Sequence, residues 1–221
     1  MLQSQTAFAF ANLQPVLLLS TLLYSFKSLV ADPVSTLLRL ATGTAVLQAS
    51  YCVLCLPSTG TATSPPPKPG QKRKAPKPGQ DVWAKVIPVS LSFTLTAVLS
   101  TPVLYILVTL FGAPLTTHHP HTLLLALHLA LLTTPQLYYV HGLDSPTWLR
   151  IASLQLPIDE VYGMSLGACV GSWLGAIPIP LDWDREWQKW PVTVVVGMYL
   201  GAAFGKLVGG YLCKGWRIKM S

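Results

Sequence analysis

Charged residues are scarce in this chain. Asp, Glu, Lys and Arg make up 10% of its 221 residues, whereas a soluble domain usually carries about 25%. Hydrophobic residues make up 51%, and the mean hydropathy is +0.49. Long apolar runs with few charges indicate an integral membrane protein.

Several signals of secretion and oxidation are also missing. The single asparagine, Asn12, is followed by Leu13 and Gln14, so the chain has no N-glycosylation sequon. The N-terminus lacks the positive region of a signal peptide, so we expect its apolar run to remain as the first span. The four cysteines show no disulfide framework. Cys52-x-x-Cys55 has no second pair, so we interpret it as thiols in a span, with acylation at the membrane edge as the alternative.

A complete active site is absent from the sequence. There is no P-loop and no Ser-His-Asp arrangement. Asp182-x-Asp184 has the look of the metal-binding pair of a sugar-nucleotide transferase, and His118, His119 and His121 could bind a metal. Because each motif is short and isolated, we predict no catalytic residue, no metal site and no cofactor. A stand-alone lumenal glycosyltransferase would need a longer chain.

The net charge of +7 is concentrated in two segments. Nucleic-acid binding could explain basic clusters, but these clusters flank apolar runs, where positive charge normally sets orientation. We therefore predict no nucleic-acid partner. The clusters comprise Lys68, Lys72, Arg73, Lys74 and Lys77 in one segment and Lys214, Arg217 and Lys219 in the other.

The apolar pattern predicts an all-α, polytopic membrane protein with one domain over residues 1–221. It forms a bundle of six transmembrane helices, each close to the roughly 20 residues that a span requires. We expect the spans at about residues 7–30, 34–56, 83–111, 121–139, 161–177 and 191–213. Pro88 and Pro102 are expected to kink the third span.

Charge asymmetry predicts the orientation of the bundle. The Pro- and Lys-rich loop at 57–81, which we expect to be disordered, lies on the same side as Arg150 and the basic C-terminus. The positive-inside rule places this side, with both termini, in the cytosol. The hairpin at 178–190 then faces the lumen and lies at the membrane interface.

Two glycine ladders occupy the last two spans. Small residues four apart form a groove in which another helix can approach closely. The two spans could pack on each other, or one ladder could receive a helix from another protein, and we favour the second alternative slightly. The ladders are Gly163, Gly167, Gly171 and Gly175 in one span and Gly197, Gly201, Gly205 and Gly209 in the other.

The hairpin between the ladders is rich in tryptophan and charge. Asp182 could cap a short helix on which the tryptophans form one stripe, facing the headgroup layer. The segment would be an interfacial anchor, a docking surface for a partner, or a lipid-headgroup site. Its candidate residues are Pro178, Pro180, Asp182, Trp183, Arg185, Trp187 and Trp190.

Charged residues inside spans are costly and usually functional or snorkelling. Lys206 lies close enough to the cytosolic face to snorkel. Arg39 lies deeper in its span, so we expect it to face protein, a cavity or a lipid phosphate.

The segment Val170-Gly-Ser-Trp-Leu-Gly-Ala-Ile-Pro-Ile-Pro-Leu-Asp-Trp-Asp-Arg-Glu-Trp-Gln-Lys-Trp-Pro191 resembles the PIG-F family. Phe111-Gly-Ala-Pro-Leu115 and Trp148-Leu-Arg150 are further matches, whereas Glu186 stands where many relatives have proline. The family is the small membrane subunit of glycosylphosphatidylinositol (GPI) ethanolamine phosphate transferases.

This resemblance implies a noncatalytic, stabilising role in the endoplasmic reticulum membrane. The implied partner is a large catalytic subunit with a lumenal, metal-dependent domain, which moves phosphoethanolamine from phosphatidylethanolamine to mannose of the GPI precursor. Membrane lipids are the other expected partner. The alternative is that the chain itself binds or translocates the phosphatidylethanolamine or GPI substrate, using Arg39, Arg185 and Asp182.

Overall fold

The computed structural model of the chain describes residues 2–59, 80–181 and 183–217, and every regular element in these ranges is helical. Helix α1 (Leu2–Ala31) is followed by α2 (Pro33–Cys55). The next long helix comprises α3 (Gln80–Leu95), a π-helical turn (Thr96–Ser100) and α4 (Thr101–Leu110). The remaining helices are α5 (His119–Thr133), α6 (Pro135–His141), α7 (Ser145–Ala152), α8 (Glu160–Ala176) and α9 (Val192–Leu207), which ends in a second π turn (Val208–Leu212).

Aspartates begin three of these helices. Asp32 accepts a hydrogen bond from the Ser35 backbone N–H, and Asp159 accepts one from that of Tyr162. Asp144 caps α7 in the same way. A carboxylate at this position satisfies an N–H that has no partner inside the helix. The Ser35 hydroxyl and, after it, the Ser35 backbone N–H hold the pKa of the Asp32 carboxyl below its usual value.

Prolines explain the interruptions in two long helices. Pro135 has no N–H and separates α5 from α6 at Thr134. The π turn at Thr96–Ser100 ends two residues before Pro102, in the part of the third span where we expect a proline kink. Pro88, in contrast, lies inside α3 without interrupting it.

Five of the helices are long and apolar enough to cross a membrane. They cover the predicted first, second, third, fourth and sixth spans. The predicted fifth span is α8, which has 17 residues and is therefore only about 26 Å long, shorter than a hydrocarbon core of about 30 Å. Helix α7 was not predicted. The predicted disordered loop at 57–81 lies largely outside the described residues.

The core lies where α5 meets α2, α8 and α9. Leu125, Leu132, Met164 and Met198 are almost completely buried there. One end of the bundle, which we call the hairpin end, holds the α1–α2 turn, the α4–α5 turn and the segment 177–191. The opposite end holds the start of α1 and the end of α9, joined by a hydrogen bond from Tyr211 to Asn12.

Candidate functional site

The two glycine ladders face each other along the whole length of α8 and α9. A Cβ atom added to any of the eight glycines would lie under 3.0 Å from a backbone atom across the helix pair. Gly167 meets Gly201 and Gly205, and Gly171 meets Gly197 and Gly201. The two backbones are therefore in direct contact, which only residues without side chains allow.

This pairing corrects our preference for a partner's helix in one ladder. Each groove is already filled by the backbone of the other helix, so no helix of another protein can enter either of them without separating α8 from α9. The structure shows the other alternative, in which the last two apolar helices pack on each other. The ladder residues hold α8 against α9, and Gly171, Gly175, Gly197 and Gly201 also line an apolar groove beside the pair.

The hairpin between α8 and α9 is held together by one glutamine. The Gln188 amide group donates to the carbonyl oxygens of Pro178 and Leu181, both at 2.7 Å, and accepts from the Arg185 N–H at 3.0 Å. Gln188 is buried. Sequence reasoning did not find this residue, because a glutamine in a polar segment carries no signal of which carbonyls it will reach.

The predicted tryptophan stripe is wrong because the segment is not an α-helix. Only a 3₁₀ turn, Glu186–Gln188, forms between the two proline-rich ends. Trp183 and Trp187 pack together with ring centroids 5.8 Å apart, whereas Trp190 packs against the core. Arg185 and Asp184 are exposed, and Pro178 and Pro180 lie in the turn that follows α8. Asp182 lies outside the described residues.

Arg39 lies on an exposed face of α2. Thr42 on the same face is also exposed, and Gly43 has no atom within 4 Å of the position of an added Cβ. Arg39 forms no hydrogen bond or ion pair with any residue that the structure describes. Arg39, Thr42 and Gly43 therefore form a small open patch in the first half of α2, bordered by the exposed Leu38 and Val46.

Lys206 does not snorkel, contrary to our expectation. It is 4% exposed, and its ammonium group donates to the Ala11 carbonyl at 2.8 Å and to the Gln14 side-chain oxygen at 2.9 Å. It also lies 3.6 Å from the centre of the Tyr51 ring. The Gln14 amide in turn donates to Gln48 at 3.2 Å. A continuous polar network therefore joins α1, α2 and α9 inside the bundle.

A second buried network surrounds His128. Its Nε2 lies 3.0 Å from the Leu37 carbonyl oxygen, which can only accept, so Nε2 carries the proton. Its Nδ1 therefore accepts from the Tyr199 hydroxyl at 2.9 Å, and the Thr44 hydroxyl donates to Tyr199. The ring is fully satisfied by these bonds, as buried polar groups normally are. His128 is thus a packing residue between α2, α5 and α9.

The predicted histidine turn lines a polar cleft at the hairpin end. His119 stacks on Tyr105 and bonds to its hydroxyl at 2.9 Å, whereas His118 and His121 face the cleft. In the part of the chain that the structure describes, no three His, Cys, Asp or Glu side chains converge as metal ligands. The cleft has a volume of about 700 Å³ and is lined by Lys27, Val30, Ala31, Pro33, His118, His121, Glu186, Lys189 and Trp190.

An apolar groove borders the same hairpin. Its volume is about 500 Å³, and it runs between α1 and the α8–α9 pair. Phe26 and Trp187 line the groove, whereas their chain neighbours Lys27 and Glu186 line the cleft. The other lining residues include Leu174, Val196, Leu200 and Phe204.

Comparison with known proteins gives a consistent family match. Residues 13–210 match the GPI biosynthesis protein family Pig-F. The chain is 44% identical over 201 residues to glycosylphosphatidylinositol anchor biosynthesis protein 11 of Neurospora crassa, and the alignment covers 90% of this chain and 72% of that protein. It is 46% identical over 202 residues to the protein of that name in Pyricularia oryzae, covering 90% and 75%, and 40% identical over 238 residues to that of Aspergillus fumigatus, covering 94% and 80%. No solved structure matches the chain.

Proposed function

The chain belongs to the GPI biosynthesis protein family Pig-F and acts in GPI-anchor biosynthesis, and from this premise we propose that it is a noncatalytic, stabilising subunit of GPI ethanolamine phosphate transferases. In this proposal it binds the membrane part of a large catalytic subunit whose lumenal, metal-dependent domain transfers phosphoethanolamine to mannose of the GPI precursor. The complex lies in the endoplasmic reticulum membrane.

The exposed polar face of α2 carries this proposal. At the bilayer centre, an unpartnered arginine facing lipid costs about 2.5–3.5 kcal/mol by the lower estimates. Arg39 follows the start of α2 at Pro33 by six residues, or about 9 Å along the helix, so its Cα lies near the boundary between headgroups and hydrocarbon, where the cost is smaller and the side chain can extend toward the headgroups. A partner's helix with an acceptor would give the guanidinium group a fixed partner at this depth.

Gly43 strengthens the assignment of this face to a partner. Unlike the eight ladder glycines, it has open space where a side chain would be, so the intramolecular packing does not require it. Glycine close to an exposed threonine is the composition that lets a second helix approach closely in a membrane. Gly43 and Thr42 would thus seat the partner's helix, while Arg39 binds to one of its polar groups.

We expect Gly43→Leu to reduce recovery of the large subunit with the tagged chain by at least about tenfold, while the chain itself stays folded. A Cβ atom at this position meets no atom of the chain within 4 Å, so we expect the added side chain to interfere with the partner. The measurement is a mild-detergent pull-down from cells lacking the endogenous protein, quantified by mass spectrometry, together with the transferase activity of the recovered complex.

The matched control is Ala97→Leu, which adds a comparable side chain at an exposed position of the π turn between α3 and α4. Its recovery should equal that of the wild-type chain. If Gly43→Leu recovered the large subunit as well as Ala97→Leu does, the α2 face would not be the subunit interface. If neither recovered a large protein with a phosphotransferase domain, and the wild type did not either, the subunit role itself would be wrong.

The proposal includes the membrane topology. We propose α8 as a sixth span, because its backbone contact with α9 is continuous over the ladder and a hairpin of 15 residues, 177–191, joins the two. Both termini are then cytosolic, and the hairpin end faces the lumen, where the partner's catalytic domain would lie. The charge distribution supports this orientation.

A further inference from the structure

The cleft at the hairpin end holds two polar groups with nothing to bind. Nδ1 of His121 and Nε1 of Trp190 are buried, and neither has a hydrogen-bond partner among the described residues. Buried polar groups in folded proteins are almost always paired, and leaving one unpaired costs about 1–3 kcal/mol. Both residues line the same cleft, so a ligand bound there would lie against them.

The charges around the cleft suit a phosphate beside an amine. Lys27 forms no ion pair with any described residue, whereas Lys189 pairs with Glu186. The lining holds two ammonium groups and one carboxylate, and Asp32 adds a second carboxylate between the lining residues Ala31 and Pro33. The Trp190 indole can only donate, so it needs an acceptor. A phosphodiester accepts from the lysines and the indole, and a cationic headgroup can reach the carboxylate of Glu186.

The depth of the cleft matches that of lipid headgroups. Lys27 precedes the end of α1 at Ala31 by four residues, which places its Cα about 6 Å below the end of the helix. The headgroup layer is about 5–8 Å thick on each side of the hydrocarbon core. Tryptophans, which prefer this layer, lie on both sides of the 3₁₀ turn.

The apolar groove lies next to this cleft. Phe26 and Trp187 line the groove, and their respective chain neighbours Lys27 and Glu186 line the cleft. A free anion would use only the cleft. An amphipathic ligand would use both, with its polar end at the rim and a hydrocarbon chain between α1 and the α8–α9 pair.

We propose that the chain binds one zwitterionic phospholipid at this position. Its phosphate accepts hydrogen bonds from Lys27, Lys189 and Trp190, its cationic group faces Glu186, and one acyl chain lies in the apolar groove. This site does not depend on the proposed subunit role, because every contact comes from the chain itself.

The test is equilibrium binding of dioleoylphosphatidylethanolamine to the full chain, purified and freed of lipid in detergent, by native mass spectrometry. We expect the double variant Lys27→Gln/Lys189→Gln to bind at least about tenfold more weakly than wild type, because two charge-assisted hydrogen bonds are lost. Lys214→Gln, which removes an exposed lysine at the opposite end of α9, should bind as the wild type does.

Replacing Trp190 by benzothienylalanine separates a ligand site from a structural role. Sulfur takes the place of the indole N–H, which no described residue accepts, while the two fused rings that pack against the core are kept. The thermal stability should therefore stay the same while phospholipid affinity falls severalfold. Wild-type affinity in both this variant and the double-lysine variant would overturn the assignment.

Two further ligands test the lipid part of the proposal. Dioleoylglycerol has the same chains without the phosphate, and inorganic phosphate has no chains. We expect neither to be retained at concentrations that saturate the site with phospholipid. Equal binding of dioleoylglycerol would overturn the headgroup site, and equal binding of inorganic phosphate would overturn the role of the groove.

Discussion

At the scale of single residues, two sets of polar groups inside the bundle, around Lys206 and around His128, are held by hydrogen bonds within each set. Lys206 has no acidic partner in hydrogen-bonding distance but two oxygen acceptors, from Ala11 and Gln14. A buried cation is tolerable only when such bonds replace its hydration. The side chain therefore contributes to stability through its fixed partners and not through contact with solvent.

We expect Lys206→Met to lower the free energy of unfolding by about 1–3 kcal/mol, because it leaves the Ala11 carbonyl and the Gln14 oxygen without a donor. Methionine keeps the length and the apolar part of the side chain. The measurement is thermal unfolding of the purified chain in detergent. Lys214→Met, at an exposed position, is the control and should leave the transition unchanged. An equal transition temperature in both variants would contradict the structural role of the Lys206 network.

These contacts show which features of a buried charge the sequence could predict and which it could not. The sequence identified Lys206 and Arg39 as costly charges inside spans, but it gave the wrong environment for Lys206. Its partners lie 192 and 195 positions away, and no local pattern encodes them. Arg39 stays a prediction, since the structure leaves it exposed without a bound group.

At the scale of elements, the α8–α9 pair is the tightest contact of the molecule. The four-residue repeat predicted a groove correctly, because glycine spacing alone determines which face of each helix can approach another backbone. It could not decide which helix fills that groove. The hairpin was harder to predict, since its shape depends on hydrogen bonds of Gln188 to carbonyls in irregular backbone.

Adding one methyl group in the ladder should separate the pair. We expect Gly171→Ala to lower the free energy of unfolding by roughly 3 kcal/mol, because the new Cβ would overlap the backbone at Gly197 and Gly201. Gly43→Ala is the matched control. It meets no atom within 4 Å and should leave stability unchanged or raise it by up to about 1 kcal/mol. Similar losses in both variants would show that the effect comes from glycine replacement in general.

At the scale of the whole molecule, the open question is how the helices are arranged across the membrane. Five helices meet the length and composition of a span, and the ladder contact ties α8 to one of them. Composition and apolar runs were sufficient to predict an all-helical membrane protein. They could not establish the number of crossings, because α8 is short by itself and depends on α9.

Single cysteines on the two sides of α8 would establish whether it crosses. In a chain whose four cysteines are replaced by alanine, we expect Gln155→Cys to react with a membrane-impermeant maleimide added to the cytosolic side of sealed vesicles. Asp184→Cys should react only after the vesicles are permeabilised. Both positions are exposed, so a failure to react reflects the membrane. Labelling of both cysteines from the same side would mean that α8 does not span.

The Lys206 bonds also have a consequence for the order in which the protein is made. During synthesis, Gln14 and Gln48 enter the membrane long before α9 leaves the ribosome, so their side chains lack the lysine that completes their network. A chain that stops short of residue 206 leaves the Ala11 carbonyl and the Gln14 side-chain oxygen without the lysine donor and exposes the surface of α1 that α9 would cover. The contact between the first and the last helix therefore forms only when translation is complete. Quality-control factors that recognise unpaired polar groups in the bilayer would distinguish finished chains from truncated ones by this contact.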